Sequence, residues 1–411
     1  MYQYKRFLKS PISPSFSYKE YRFRLKRMQD LMKENNVDVL MLTNIENIIY
    51  STGYQSWYFS SKFRPVVCFV PLEGEPIIVV RVLEKYTVEY TSWVNNIWCW
   101  GSKERSYEKE IYIEDFVDIC TQAIKDLNVN KGPIGIEAGE SMRFNVSLDF
   151  LQQLKIRLGE FKFSDGSNVI QLARMLKSED EVKNIKTACQ ITEEAIEKTI
   201  EIIKPGITEK DISRFLASQM TSKGIDKISY LTVISGKNKY PTFNAYATDR
   251  KIEKGDLILF DISGHYNGYA SDLSRGAVLG KATQEQKDIA NVSIKSVQGA
   301  INHLMPGKRI SEINKVAEDI IIESGFEKWL LHSSGHGIGL DVVEYPFIHS
   351  NQDQKIEEGM VLSVEQGVYP YDLERGVSTI YCCFRTEDNV FINKEGAEYL
   401  SGPDKGLVEI I

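Results

Sequence analysis

Hydrophobic and polar positions in the first part of the chain, up to Asp165, alternate between two periods. Apolar residues that recur every three to four positions predict amphipathic helices, whereas short apolar runs between turn residues predict strands. The helical stretches are Tyr18–Asn35 and Asp115–Asp126, and the strand-like runs are Val37–Thr43, Arg64–Pro71, Pro76–Val82 and Pro133–Glu137. This alternation indicates an α/β domain.

A turn-rich patch, Ser164–Asn168, separates this pattern from the next. It predicts a domain boundary, with an N-terminal domain at residues 1–168 and a second domain at residues 169–411. Soon afterwards Ser178-Glu-Asp-Glu181 has the spacing of a capping box, which begins a helix. Apolar positions at helical spacing then predict that this helix runs to Lys204.

The second domain contains an internal repeat. The segments Glu201–Ile225 and His303–Phe326 share one pattern: a helix, a Pro-Gly break, a second helix and a glycine stop. We predict that each copy is followed by a short apolar strand that ends at Ser235-Gly236 and at Ser334-Gly335. Two copies are too few for a solenoid, so they indicate one domain built from two related halves.

The segment Phe260–Asp272, FDISGHYNGYASD, predicts a β-hairpin because Asn267-Gly268 is a strong two-residue turn signal. This turn would place Asp261 opposite Ser274, and Asp272 on the same face as both. Two aspartates on one face either converge on cations or point harmlessly into solvent. Without a cation, buried like charges would repel, and one carboxyl would keep its proton.

Three further residues add to this pair of aspartates. His336 lies in the glycine-rich run Ser333–Leu340, whereas Glu365 and Glu387 lie in apolar strand-like segments. A lone histidine is usually structural, but buried carboxylates need partners or metals. Two Asp, one His and two Glu form an oxygen-rich set that suits two divalent ions such as Mn²⁺, Co²⁺ or Fe²⁺. Two such ions can share a hydroxide nucleophile and polarise a carbonyl.

Composition excludes several other classes. The formal charge of −7 and a pI near 5.5 argue against a nucleic-acid-binding protein. No apolar run approaches the roughly 18 residues of a membrane span, and the N-terminus has no apolar core typical of a secretory signal. The cysteines form no CxxC pair, so we expect reduced thiols in a cytoplasmic protein. They are Cys68, Cys99, Cys120, Cys189, Cys382 and Cys383.

The chain resembles the pita-bread metallopeptidases, in the branch of creatinase, prolidase and Xaa-Pro aminopeptidase. The residues that carry the resemblance are FDISGHYNGYASDLSR, SGHGIGLDVVEYP, EEGMVLSVEQGVY and FRTEDNV, preceded by DVLMLTNIENIIYSTGY in the first domain. The resemblance implies an α+β protein with a C-terminal pita-bread (creatinase/aminopeptidase) fold and an N-terminal α/β creatinase-type domain. It also implies a small peptide or small-molecule substrate and a homodimer.

The resemblance assigns roles to individual positions. The implied metal ligands are Asp261, Asp272, His336, Glu365 and Glu387. Asp272 and Glu387 would bridge both ions, and Glu365 would also act as general base for a metal-bridging hydroxide. Arg385 is implied near the carboxylate end of the substrate or in a pair with a ligand. We expect Mn²⁺ or Co²⁺, with Fe²⁺ and Zn²⁺ as alternatives.

The chain departs from the family pattern at positions that face the substrate. Asn244 stands where the peptidases carry a histidine before the first metal aspartate, and Val343 replaces a second histidine. Ser263 and Gln366 replace a usual glycine and proline. Asn244 retains a hydrogen-bond donor and is our third catalytic candidate with Glu365 and Arg385, whereas valine has no donor.

Three functions are compatible with these residues. The first is a dinuclear metal-dependent hydrolase that acts as an Xaa-Pro dipeptidase or aminopeptidase. The second is a metalloenzyme of the same fold that acts on a small non-peptide substrate, as a C–N hydrolase or lyase. The third is a non-catalytic binding protein, although all five implied ligands are present.

Overall fold

The computed structural model describes most of the chain in two compact units. The described residues are 4–5, 15–61, 63–101, 104–105, 110–111, 115–127, 129, 132–139, 142–236, 244–370 and 384–411. The units are Met1–Arg174 and Met175–Ile411. The boundary that the sequence predicts, after residue 168, stays a prediction. Among the described residues, no helix is long and apolar enough to span a membrane.

The first unit is built on a seven-stranded mixed sheet of order β1-β5-β4-β3-β2-β8-β9. Its strands, together with the separate pair β6 and β7, are β1 Tyr4–Lys5, β2 Val39–Leu42, β3 Val67–Pro71, β4 Ile77–Arg81, β5 Asn96–Trp100, β6 Glu104–Arg105, β7 Glu110–Ile111, β8 Ile134–Ile136 and β9 Phe163–Asp165. All four residues of β2 are buried. A continuous apolar run fits this position because helices cover both faces of such a sheet.

Six α-helices among the described residues accompany this sheet, and the sequence predicts two of them, at Tyr18–Glu34 and Phe116–Asp126. They are α1 Tyr18–Glu34, α2 Ile45–Thr52, α3 Lys85–Thr91, α4 Phe116–Asp126, α5 Leu148–Leu158 and α6 Ser167–Met175. Phe116 of α4 and Phe150 of α5 pack with Phe69 and Trp98 of the sheet in one buried core. This unit is therefore the predicted α/β domain. Cys68, Cys99, Cys120 and Cys189 are free and buried, and Cys382 and Cys383 lie outside the described residues.

The second unit combines a ten-stranded sheet with four long helices. The helices are α7 Glu179–Ile200, α8 Glu209–Ser222, α9 Gln284–His303 and α10 Ile310–Glu323. The strands are β10 Lys227–Ser235, β11 Leu257–Tyr266, β12 Tyr269–Ala270, β13 Leu273–Leu279, β14 Gly335–Gly337, β15 Glu344–Phe347, β16 Val361–Val368, β17 Phe384–Asn393, β18 Gly396–Tyr399 and β19 Val408–Ile410. The main path of the sheet is β10-β11-β13-β17-β16-β14-β15.

Strand β11 separates two cores of this unit. Ile258 and Phe260 belong to a core that includes α7 and α8, whereas Leu257 and Leu259 belong to a core that includes α9. Side chains alternate between the two faces of a strand. Asp261 therefore continues the face of Leu257 and Leu259, away from α7 and α8.

The internal repeat is confirmed in its helices and wrong in part of its detail. Each Pro-Gly break lies between two helices, and Gly206 and Gly307 have φ of 87° and 92°. The helix predicted to run to Lys204 ends at Ile200, and residues after it form tight turns. The residue before a proline avoids helical backbone, so Lys204 could not continue the helix.

The strand predicted before Ser334-Gly335 is also wrong. The segment Glu327–Trp329 is a 3₁₀ helix, because Phe326 and Trp329 pack against the core next to α9. The equivalent strand in the first copy, β10, is confirmed and ends at Ser235.

His265 gives this unit a defined pH response. Its side chain is 4% exposed near the hairpin turn, with Nε2 2.6 Å from Ser229 Oγ. Burial lowers its pKa from 6.5 to about 4. Between these pH values His265 is protonated in the unfolded chain but not in the folded chain. The free energy of unfolding therefore falls as the pH drops from 6.5 towards 4. Each pKa unit corresponds to about 1.4 kcal/mol, so we expect a loss of about 3 kcal/mol in free energy of unfolding.

His265→Gln is expected to remove this contribution. Urea denaturation of the metal-free protein between pH 4.5 and 7.5, followed by circular dichroism, measures it. The stability difference between wild type and variant should shrink as the pH falls, and a constant difference would contradict the assignment. His303→Gln, at an exposed position near the end of α9, is the matched control.

Candidate metal centre

The predicted hairpin forms with the predicted register. Asn267 and Gly268 have φ of 49° and 82°, so both residues of the turn are left-handed, as in a type I′ turn. Asp261 pairs with Ser274, and Asp272 lies just before β13. Both aspartates are 1% exposed, so the solvent-facing alternative for this hairpin is wrong.

One row of side chains crosses four strands. Asp261 pairs with Ser274, Ser274 pairs with Glu387, and Glu387 pairs with Glu365. Residues directly opposite one another share a face of the sheet. Three carboxylates and one serine therefore form a first row on a single face.

A second row lies two residues further along β16 and β17 and begins on β14. His336 pairs with Ser363, and Ser363 pairs with Asn389. The Asn389 side chain is bonded to the backbone of Asp272, which ends the row. The two rows together bring all five predicted ligands to one face.

The glycines beside His336 are required by close packing of the backbone. Gly335 has φ of 129°, and a Cβ there would lie 2.0 Å from the Ser363 carbonyl oxygen. A Cβ on Gly337 would lie 2.5 Å from the Tyr345 carbonyl oxygen. His336 Nδ1 is 3.0 Å from the Gly337 carbonyl oxygen, which can only accept, so Nδ1 carries the proton. In the neutral imidazole this tautomer leaves the lone pair on Nε2.

The residues present fit a metal centre. His336 Nε2 lies 3.8 Å from Asp272 Oδ2 and 3.7 Å from Glu365 Oε1. One ligand atom from each of Asp272, His336 and Glu387 lies within 4.8 Å of the others. Among the described residues, the buried oxygens Asp261 Oδ1 and Glu387 Oε2 have no hydrogen-bond donor. Buried carboxylate oxygens that lack hydrogen-bond donors, together with a nearby imidazole nitrogen, are suitable ligand atoms for a divalent cation.

Burial sets the protonation of these carboxyls. It raises the pKa of Asp272 and of Glu387 well above the usual range, and nearby carboxylates add to the effect. Burial also raises the pKa of Asp261, against the opposing charge of Arg385. Glu365 differs: burial raises its pKa, but Arg385 and nearby histidines outweigh burial and leave that pKa below normal. Glu365 is therefore the carboxyl best able to stay ionised.

Arg385 lies against the first row. Its guanidinium pairs with Asp261 and, at 3.3 Å between Nη1 and Oε2, with Glu365. Of the two positions expected for Arg385, the structure shows contact with two carboxylates that the sequence predicts as metal ligands.

Sequence reasoning missed two residues at this site. The Tyr230 hydroxyl on β10 donates a hydrogen bond to Asp272 Oδ1. His332 lies 2.7 Å, through Nε2, from the Tyr369 hydroxyl and lowers the pKa of Asp261 and Glu365. His332 stands four residues before His336 in HSSGH, a signal that could have been read. Tyr230 has no such signal, because only strand pairing brings it to the site.

Asn244 and Val343, which stand where the family carries histidines, lie at exposed positions. Asn244 is an exposed turn residue, and Val343 is 52% exposed. Among the contacts of the described residues, none joins either side chain to the carboxylates. The catalytic role expected for Asn244 stays a prediction, as do the metal-ligand roles.

Comparison with known proteins agrees with this architecture. Residues 183–394 match the model of metallopeptidase family M24, and residues 24–176 match the creatinase/prolidase N-terminal domain. The chain is 28% identical over 385 residues to a protein named Xaa-Pro dipeptidase from Pyrococcus furiosus, which spans 94% of this chain and 99% of that protein.

Solved structures show the same fold over nearly the whole chain. The prolidase from Pyrococcus horikoshii OT3 is 25% identical, with a TM-score of 0.77 over 93% of this chain and 99% of that one. An Xaa-Pro dipeptidase from Bacillus anthracis is 23% identical, with a TM-score of 0.80 over 95% of this chain and 99% of that one. The chain therefore belongs to metallopeptidase family M24, as a metallopeptidase-type hydrolase with a creatinase/prolidase N-terminal domain followed in sequence by a pita-bread catalytic domain.

Proposed function

We propose that the protein is a dinuclear metal-dependent Xaa-Pro dipeptidase. The observation that carries the proposal is the pair of side-chain rows, which gathers three buried carboxylates, the partly buried Glu365 and one imidazole on a single sheet face. The Pyrococcus relative, matched over almost its whole length, is named Xaa-Pro dipeptidase, which directs the proposal to dipeptides with proline in second place.

The donor set supports two ions that share ligands. Asp261 would hold one ion, His336 and Glu365 the other, and Asp272 and Glu387 would serve both. Oxygen and imidazole ligands suit Mn²⁺ or Co²⁺, with Fe²⁺ and Zn²⁺ as alternatives. When bound, two such ions supply a hydroxide nucleophile at neutral pH and polarise the scissile carbonyl.

Glu365 is the residue proposed to move the proton. Its lowered pKa keeps the carboxylate ionised at neutral pH, so it can accept a proton from the attacking water. Hydrolysis breaks the bond between the carbonyl carbon and the proline nitrogen. That nitrogen leaves as an amine and takes the proton from Glu365.

Arg385 and His332 support this role. Arg385 lies 3.3 Å from Glu365 and also pairs with Asp261, so it orients both carboxylates and opposes the rise in pKa that burial causes. His332, whose Nε2 lies 2.7 Å from the Tyr369 hydroxyl, also lowers the pKa of the same two carboxyls. We propose that Asn244 contributes a hydrogen bond to the substrate when it is bound.

A second candidate is a C–N hydrolase or lyase that acts on a small non-peptide substrate. The specific observation is Val343, an exposed apolar side chain at a position where the peptidases carry a histidine. Valine cannot donate to a developing oxyanion, and removal of one such donor typically costs about 3 kcal/mol.

A homodimer and a cytoplasmic location, both expected from the sequence, belong to the same proposal. Sedimentation velocity tests the homodimer, because the fitted mass of a dimer would be near twice the 47.0 kDa of one chain.

Metal binding is expected to reach two ions per chain and to weaken as the pH falls. Burial raises the pKa of Asp272 and Glu387, so metal ions and protons compete for these carboxylates. Calorimetric titration with Mn²⁺ or Co²⁺ between pH 5.5 and 7.5, in two buffers of different ionisation enthalpy, measures affinity and proton release.

Glu387→Gln should lose both ions in elemental analysis, because Glu387 would serve both. Asp288→Asn, at an exposed carboxylate of α9, is the matched control and should retain two. One ion per wild-type chain, or none, would contradict the dinuclear site.

The metal-loaded protein is expected to release free proline from X-Pro dipeptides. A panel of X-Pro dipeptides, X-Pro-Y tripeptides, betaines and amidines, followed by mass spectrometry, separates the candidate functions. Turnover of the dipeptides with little turnover of tripeptides supports a dipeptidase. Turnover of the betaines or amidines alone favours the second candidate, and no turnover with any metal rejects both.

Glu365→Gln is expected to lower kcat by about 10²–10⁴-fold, the usual contribution of a general base. The amide keeps the shape of the side chain but cannot accept the proton. Stopped assays of X-Pro hydrolysis at saturating metal, with the metal content of each sample measured, test this. Near-normal kcat with two ions bound would assign the base elsewhere.

A further inference from the structure

The pairing of β13 with β17 changes character at Asp272. Ser274 pairs with Glu387, and the same antiparallel register places Asp272 opposite Asn389. There the side-chain amide of Asn389 forms hydrogen bonds with both the backbone N–H and the backbone carbonyl of Asp272. Its Oδ1 accepts the Asp272 N–H at 2.8 Å, and its Nδ2 donates to the Asp272 carbonyl at 2.8 Å.

The same amide reaches the carboxylate of Glu387. Asn389 Nδ2 also donates to Ser363 Oγ at 2.8 Å, and Ser363 Oγ donates to Glu387 Oε1 at 2.8 Å. The Cys189 thiol occupies the remaining acceptor position of Asn389 Oδ1, at 3.1 Å. Asn389 and Ser363 are fully buried, so no water competes for these bonds.

This arrangement needs an amide. Aspartate could accept from the Asp272 N–H, but its second oxygen would face the Asp272 carbonyl, another acceptor. A hydroxyl has one hydrogen and could not donate to Asp272 and to Ser363 together. Asparagine alone among residues of this size supplies one acceptor and two donors in one plane.

We propose that Asn389 is a positioning residue for the metal centre, which fixes the Asp272 backbone relative to the Glu387 carboxylate. It touches neither metal nor substrate. It holds in place two mutually repelling carboxylates that share a cation, and so raises the affinity of the centre. This inference rests on the proposed metal centre, and partners of this kind typically contribute 10–100-fold to metal affinity.

The test compares metal binding by wild type, Asn389→Ala and Ser363→Ala in the full chain. We expect Asn389→Ala to weaken Co²⁺ binding by about 10–100-fold in calorimetry and to alter the visible absorption spectrum of bound Co²⁺. Ser363→Ala should lose less affinity, because the bonds between Asn389 and Asp272 remain. Hydrogen exchange of the metal-free protein gives an independent readout: the peptide containing Asp272 should exchange faster in Asn389→Ala than in Ser363→Ala.

Asn47→Ala is the matched control for the loss of a buried amide. Asn47 is 1% exposed in the first unit and bonds to Glu137, so its variant should bind Co²⁺ with wild-type affinity. Asn389→Asp, which preserves volume, is expected to show the same loss of affinity and serves if Asn389→Ala does not fold.

Two outcomes would overturn the role of Asn389 alone: wild-type affinity and spectrum in the Asn389 variants, or an equal loss in Asn47→Ala. A wild-type chain that binds no divalent ion would instead overturn the proposed metal centre, and this inference with it.

Discussion

Electrostatic repulsion among carboxylates that are buried on one sheet face is the constraint on which the second unit depends. Removing an ion from water costs several kcal/mol even after relaxation, and like charges nearby add to that cost. The compensating contacts are specific: Arg385 pairs with Asp261 and Glu365, and Tyr230 donates to Asp272. These contacts leave buried oxygens of Asp261 and Glu387 without a donor among the described residues, so the constraint is only partly met by protein groups.

The sheet meets the geometric side of this constraint through register. Side chains two residues apart share a face, so two adjacent rows across the strands bring ligands from distant parts of the chain together. A slip of one residue would move a whole strand's ligands to the opposite face. Two features hold the register where it matters: the left-handed turn at Asn267-Gly268, and the amide of Asn389 that replaces backbone pairing at Asp272.

What the sequence predicts here is what local chemistry determines. Asn267-Gly268 determines a two-residue turn, and this turn alone predicts that Asp261 pairs with Ser274. The spacing between Ser178 and Glu181 likewise predicts the helix cap at Ser178. The contacts of Tyr230 and Asn389 with Asp272 could not be predicted, because they form only when β10 and β17 join β11 and β13 in the sheet. The early end of α7 at Ile200 was not predicted for a different reason. The apolar periodicity of the sequence continues beyond Ile200, whereas the backbone there already forms turns ahead of Pro205.

Charge balance explains why a single arginine does not complete the site. Four carboxylates, if all ionised, bring four negative charges, and Arg385 offsets one of them. Three remain at full ionisation, and burial raises the pKa of Asp272 and Glu387, which favours the protonated forms that lower that number. Two divalent cations would replace those protons, offset the remaining three charges and leave one positive charge in excess. Such an excess would attract an anion to this face of the sheet, and hydroxide is the anionic nucleophile that the proposed hydrolysis requires.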